Sequence, residues 1–125
     1  MKKIIMLLML SMFTFTGFAQ HTEEISVIPA DEYKKEIKKK DIQLVDVRTP
    51  EEFKEGHIKG AKNIDFFSED FITQFEALDK NEPVYIYCRS GNRSAKASKK
   101  LSEAGFKKII DLQGGYKAWT SGNQE

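Results

Sequence analysis

The stretch Val84-Tyr85-Ile86-Tyr87-Cys88-Arg89-Ser90-Gly91-Asn92-Arg93-Ser94 decides how this 125-residue chain is read. Its first four residues form an uninterrupted run of β-preferring side chains, the pattern of a buried parallel strand. The next positions hold the chain's one cysteine together with two arginines and a glycine. Ser94 is placed to begin a helix with Ala97, Leu101 and Ala104 on one face. A thiol between a buried strand and a helix lies at the carboxyl edge of a sheet, where open α/β sheets bind ligands.

Outward from this stretch, strand and helix patterns alternate. Toward the amino end, Ile25 to Ile28 reads as a strand, and Pro29 opens an amphipathic helix carrying Tyr33 and Ile37. Ile42 to Val47 is a second strand; Thr49 can cap a short helix with Pro50 at its first position, ended by Gly56. Ala61 to Asp65 is a brief third strand, and Ser68 is placed to cap a helix with Phe71, Ile72, Phe75 and Leu78 in one stripe. Toward the carboxyl end, Gly105-Phe106 matches a left-handed glycine stop with a hydrophobic contact behind it. Ile109 to Leu112 is the last strand, after which Gly114-Gly115 turns into a short helix whose Trp119 packs inward. The expected class is α/β, with a central parallel sheet of about five strands and helices on both faces.

Met1-Lys2-Lys3, the apolar stretch Ile4 to Ala19 and the small residues of Gly17-Phe18-Ala19 together have the form of a secretory signal peptide. The stretch is broken by Ser11, Thr14, Thr16 and Gly17, and it falls short of the roughly 20 apolar residues a spanning helix needs. Residues 1–19 are therefore expected to be removed on export, to the periplasm in the first instance, with extracellular release as the alternative. Residues 20–24 read as a polar tail, and no membrane association is expected after cleavage. With 20 basic and 19 acidic residues the chain has no charge excess of the kind that nucleic-acid binding requires. A single cysteine forms no intramolecular disulfide and no Cys-x-x-Cys pair, so any redox step needs an outside partner. No zinc ligand set and no Gly-x4-Gly-Lys phosphate loop is present, and neither a metal nor a cofactor is expected.

The loop has the makings of a nucleophile. A thiol attacks as its anion, and its pKa of about 8.5 drops to roughly 3.5–7.5 near cations or a helix N-terminus. Arg89 and Arg93 bring charge, the following helix brings its positive pole, and the backbone N–H groups from Arg89 to Ser94 can form a nest for an anion. The alternative, a small buried hydrophobe, does not account for two arginines and a glycine within five residues.

Three separated motifs resemble those of the single-domain rhodaneses. Cys88 to Ser94 is similar to the family's active-site loop. Asp46-Val47-Arg48, Glu52 and Gly56-His57-Ile58 resemble its amino-side signature, and Leu112-Gln113-Gly114-Gly115-Tyr116-Lys117-Ala118-Trp119 its carboxyl-side one. The resemblance covers nearly all of a domain expected at 25–121, with 122–125 as a tail. It implies a sulfurtransferase. Cys88 would take the outer sulfur of thiosulfate or a related small anionic donor, become a persulfide, and pass the sulfur to a thiol or cyanide acceptor with ping-pong kinetics. It further implies Cys88 as catalytic residue, with Arg89, Ser90, Gly91, Asn92 and Arg93 binding substrate. Cysteine-based phosphatases use a wider Cys-x5-Arg loop, whereas Cys88 to Arg93 is Cys-x4-Arg. Two other readings stay open: a binding or sulfur-carrier module acting with another exported protein, and a thiol switch built on an exposed cysteine.

Asp46, Arg48 and Ser94 are candidates for supporting the pocket, although Asp46 and Arg48 equally suit a role in pairing with neighbours at the sheet edge. His57 is read as structural and His21 as incidental. Lys96, Lys99 and Lys100 suit a solvated helix face or a positive approach to the loop, and Lys38-Lys39-Lys40 a solvated helix end.

Overall fold

The computed structural model describes residues 24–122. The expected signal peptide, His21, the rest of the tail before Glu24, and residues 123–125 lie outside them. Five strands, β1 (Glu24–Ile28), β2 (Gln43–Asp46), β3 (Lys62–Asn63), β4 (Val84–Tyr87) and β5 (Lys108–Leu112), form one parallel sheet in the order β1-β5-β4-β2-β3. The helices between and after them are α1 (Ala30–Glu36), α2 (Pro50–Glu55), α3 (Phe71–Phe75), α4 (Asn92–Glu103) and α5 (Gly115–Gly122).

Alternation along the strands sorts the core into two layers. Val84, Ile86 and Cys88 point to the face where Phe71 and Phe75 of α3 and Ala97 and Leu101 of α4 pack. Tyr85 and Tyr87 point to the other, against Tyr33 of α1 and Tyr116 and Trp119 of α5. Both faces of β4 are thus covered, which is why its sequence carries no polar residue. The α4 stop is a Schellman arrangement: Gly105 has φ +98°, its N–H donates to the Ser102 carbonyl at 3.0 Å, and the Phe106 N–H donates to the Leu101 carbonyl at 3.1 Å.

The strand order places the site. From β2 the chain moves to β3 on one side, then returns to β4 on the other, so the loops leaving β2 and β4 diverge at a topological switch point. Asp46 at the end of β2 stands in register with Tyr87 at the end of β4, and the Val47 N–H extends the pairing to the Tyr87 carbonyl at 3.0 Å.

Several boundaries differ from expectation. Glu24 belongs to β1 rather than the tail because the sheet edge pairs it with Lys108, and Gly122 belongs to α5 rather than the carboxyl tail. α4 begins at Asn92, two residues before Ser94, because Gly91 at φ +109° has already turned the chain. Ser68 does not cap α3: its hydroxyl donates to the Asp70 side chain, and the helix proper covers only Phe71–Phe75. Leu78 therefore packs on the core from beyond the helix.

Phe75 is fully buried between the rings of Phe71 and Phe106, at centroid distances of 4.9 and 5.9 Å. Phe75→Ala is expected to cost about 3–5 kcal/mol in urea unfolding. Val27→Ala, at an edge-strand side chain that is 57% exposed, should change stability by no more than about 0.5 kcal/mol.

Candidate active site

The loop after β4 wraps around the Cys88 sulfur. Cys88 is 1% exposed. The Gly91 N–H donates to Sγ at 3.0 Å, and the thiol donates to the Ser94 hydroxyl at 3.3 Å. That hydroxyl in turn donates to the Gly91 carbonyl at 3.2 Å. The early start of α4 is what brings Ser94, in the first turn, under the sulfur.

The carbonyls on the other side of the loop are held by α5. The Tyr116 N–H donates to the Cys88 carbonyl at 2.8 Å and the Lys117 N–H to the Arg89 carbonyl at 2.9 Å. These are N–H groups of the first turn of α5, which have no partner inside their own helix. In a trans peptide the N–H points opposite to the C=O, so the Arg89 and Ser90 N–H groups are turned away from α5. The approach requires glycine at 115. A Cβ there would stand 2.5 Å from the Cys88 carbonyl oxygen and 2.6 Å from the Arg89 carbonyl carbon, on a backbone at φ +60°.

The two arginines have different surroundings. Arg93, expected to attract the anionic donor, makes a two-pronged pair with Glu52, Nη1 to Oε1 at 2.6 Å and Nη2 to Oε2 at 3.0 Å. Glu52 is fixed in turn by the α2 capping box: its N–H donates to Thr49 Oγ1, and its carboxylate accepts from the Thr49 N–H, both at 3.3 Å. The Arg93 bond, foremost, holds the Glu52 carboxyl down at about 2. A negative charge on Cys88 further favours the Arg93 cation. Arg89 is exposed and its side chain makes no ion pair with another described residue. With Lys117, Glu55 and Tyr116 it lines a cleft of about 490 Å³ beside the loop. Ser90 and Asn92 are exposed on the loop's outer side.

Asp46 and Arg48 pair with each other, at 2.7 Å between Oδ2 and Nη2, and both are buried. Arg48 also donates to the Gly56 carbonyl at 2.7 Å and lies 4.3 Å from the Tyr116 ring centroid. They therefore brace the sheet edge where α2 and α5 meet it. His57 stacks on Phe53 at 3.7 Å and donates from Nδ1 to the Phe53 carbonyl at 2.8 Å, the structural role expected of it. Among the described residues no group of three potential metal ligands is assembled, and no helix is long and apolar enough to cross a membrane.

Cys88 is buried, contrary to the exposed cysteine that a thiol switch assumed. One residue carried no reading from sequence: Asp111, the fourth of the five residues of β5, is 2% exposed, and its Oδ1 has no hydrogen-bond partner among the described residues. Burial pushes its carboxyl up to about 6. The signal was a lone charge inside the apolar run Ile109-Ile110-Asp111-Leu112. Phe67, 65% exposed with the Arg93 guanidinium 5.7 Å from its ring, gave no such signal.

A family model for the rhodanese-like domain matches residues 29–122. The chain belongs to the rhodanese-like domain family. Relatives of this rhodanese-like chain include "Thiosulfate sulfurtransferase GlpE" of Pseudomonas aeruginosa (strain LESB58), 36% identical over 93 residues that cover 74% of this chain and 82% of the relative. "Thiosulfate sulfurtransferase 16, chloroplastic" of Arabidopsis thaliana is 39% identical over 62% of this chain and 72% of its own length. YqhL of Bacillus subtilis is 40% identical over 62% of this chain, which spans 60% of it. A rhodanese-like domain protein from Staphylococcus aureus superposes with a TM-score of 0.67 at 37% identity, covering 75% of this chain and 90% of that one.

Gly115→Ala is expected to destabilise the rhodanese-like fold by about 2–4 kcal/mol, since it adds overpacking to backbone strain. Gly60→Ala, where φ is +88° but nothing lies within 4 Å of the added carbon, should cost only about 1 kcal/mol; denaturant unfolding of both measures the difference. Asp111 binds its proton more tightly folded than unfolded, so its contribution to stability is full below about pH 4 and is lost as pH rises through about 6. Its rise from 3.8 to about 6 makes Asp111→Asn more stable than the parent by up to roughly 3 kcal/mol at pH 8. Near pH 4 the two should unfold alike.

Proposed function

We propose that this chain is a sulfurtransferase that carries one sulfur atom on Cys88. The Cys88 thiolate attacks the outer sulfur of thiosulfate; the S–S bond of the donor breaks, sulfite leaves with its electron pair, and a persulfide anion remains on Cys88. A thiophilic acceptor such as cyanide or a thiolate then attacks the outer sulfur and expels the Cys88 thiolate. Both half-reactions conserve charge and need no redox partner.

The observation that carries this reading is the setting of the sulfur at the head of a twelve-residue helix: the Gly91 N–H donates to it at 3.0 Å, and the Ser94 hydroxyl accepts its proton at 3.3 Å. The backbone N–H and the helix head are fixed dipoles, which stabilise an anion without reorganising. The relatives named thiosulfate sulfurtransferases support thiosulfate as the donor. Arg89 and Lys117 on the adjoining cleft would draw an anionic donor in. The Glu52–Arg93 pair leaves Arg93 to position the loop and to supply its field from a fixed place. The signal-peptide form of the sequence at residues 1–19 supports a reaction outside the cytoplasm, with an exported thiol protein as a natural acceptor class.

Intact mass spectrometry of the purified protein after thiosulfate treatment tests the proposal. One added sulfur atom is expected, removed by cyanide and absent from Cys88→Ser; an unchanged mass with thiosulfate, polysulfide and glutathione persulfide overturns it.

A further inference from the structure

The cleft of about 490 Å³ beside the loop has room for far more than thiosulfate or cyanide, and its size is that of a site for a molecule with several functional groups. Residues of α2 line it from one side, and Arg89 and the first turns of α5 from the other, at the carboxyl edge where the loops leaving β2 and β4 diverge. Its floor is fixed. The Arg48 guanidinium lies 4.3 Å from the Tyr116 ring centroid, and Arg48 is itself committed to Asp46 and to the Gly56 carbonyl. The Tyr116 hydroxyl comes down on Gly56, where a Cβ would stand only 2.9 Å from it.

The walls carry charge that nothing on the protein answers. The Lys117 N–H donates to the Arg89 carbonyl at 2.9 Å, so two cationic side chains leave neighbouring points of the backbone, and neither pairs with an anion among the described residues. Like charges side by side repel, and an anionic group between them removes the repulsion. From the α2 side, Glu55, the last residue of that helix, is exposed and has no cation among the described residues. Glu52 is already taken by Arg93. A simple anion would use the two cations and leave Glu55 as a repulsive neighbour. A ligand with both an ammonium and a carboxylate satisfies all three.

We propose that this cleft is the acceptor subsite for a small zwitterionic thiol, a cysteine-containing amino acid or short peptide, with its carboxylate on Arg89 and Lys117 and its ammonium on Glu55. Arg89 is both a wall of the cleft and the residue next to the nucleophile, so a molecule seated there has its thiol at the edge of the sulfur-bearing loop. The acceptor thiolate attacks the outer sulfur of the Cys88 persulfide, the S–S bond breaks, and its electron pair returns to Cys88 as the thiolate. The acceptor leaves as a persulfide anion, and charge is conserved. A cysteine within a protein chain has no ammonium and carboxylate ends beside it, so this acceptor is separate from the protein thiols named above. The transfer step rests on the Cys88 persulfide; occupation of the cleft does not.

Glutathione, a net anion that also carries an ammonium, tests the assignment in two measurements on the parent and Glu55→Gln. The first is binding of unreactive S-methylglutathione to the resting protein by NMR titration. The second is sulfur transfer from the persulfide form to glutathione, taken as a ratio to transfer to 2-mercaptoethanol, whose only ionisable group is its thiol. Glu55→Gln should weaken S-methylglutathione binding roughly threefold and lower the transfer ratio by as much, the scale of one exposed charge pair. The sign is decisive. Removing a negative charge from the protein would improve the binding of an anion attracted only from a distance, so a loss requires an ammonium at Glu55. No binding to the parent, or binding and a transfer ratio that hold or rise in Glu55→Gln, overturns the proposal. Binding that weakens as described in a protein that forms no persulfide would leave the zwitterion site standing and remove the sulfurtransferase reading instead.

Discussion

Two peptide hydrogen bonds, from Tyr116 N–H to the Cys88 carbonyl and from Lys117 N–H to the Arg89 carbonyl, join the first turn of α5 to the loop that carries the thiol. They form only because Gly115 lets one backbone pass within a distance that any side chain would forbid. Through them the packing of one face of the sheet reaches the loop: α5 rests on α1 by the edge contact of Trp119 with Tyr33, and the Tyr33 hydroxyl is anchored on β4 at Ile86. With its carbonyls tied on that side, the loop closes around the sulfur on the other. The sulfur then meets the start of α4, where the Gly91 N–H donates to it and the Ser94 hydroxyl accepts its proton.

A second set of ties lies at the switch point between β2 and β4, and one of them, from Glu52 to Arg93, crosses it. Asn63 donates to the carbonyls of Asp46 and Arg48, Arg48 binds Asp46 and the Gly56 carbonyl, and Glu52 holds Arg93. Buried ion pairs of this kind add little net stability, because desolvation offsets most of their attraction. What they add is position: two loops leaving different strands are locked to each other by directional bonds. The positive charge of Arg93 then stays at one place relative to the sulfur, and Arg89, with Lys117 beside it on the cleft, has room to meet a ligand.

Much of this was legible in the sequence where a local pattern has one physical solution. β4 matches its expected bounds because a run of Val, Tyr and Ile before a loop fits little but a buried strand, and the Gly105-Phe106 stop follows from local sterics. The Thr49-Pro50 start of α2 was equally plain. What the sequence hid depends on partners far away in the chain. Arg93 looked like a substrate cation because nothing near it shows that Glu52 folds back to meet it. α4 was placed two residues late because a glycine at positive φ turns the chain before the apolar stripe begins. Gly114-Gly115 read as a turn; its closeness to the Cys88 backbone is a tertiary fact. Asp111 was visible as an odd charge in an apolar strand, but its burial beside Ile86 exists only once β5 lies beside β4.

A lone thiol beside a backbone donor at the head of a helix suits a group carried between two visiting molecules, because donor and acceptor then meet the same sulfur in turn. The most direct measurement of that claim is the initial-rate pattern of thiocyanate formation with thiosulfate and cyanide varied together. Sulfur held covalently on Cys88 between the two half-reactions predicts parallel lines in double-reciprocal form. Intersecting lines, the mark of both substrates bound at once, would contradict it.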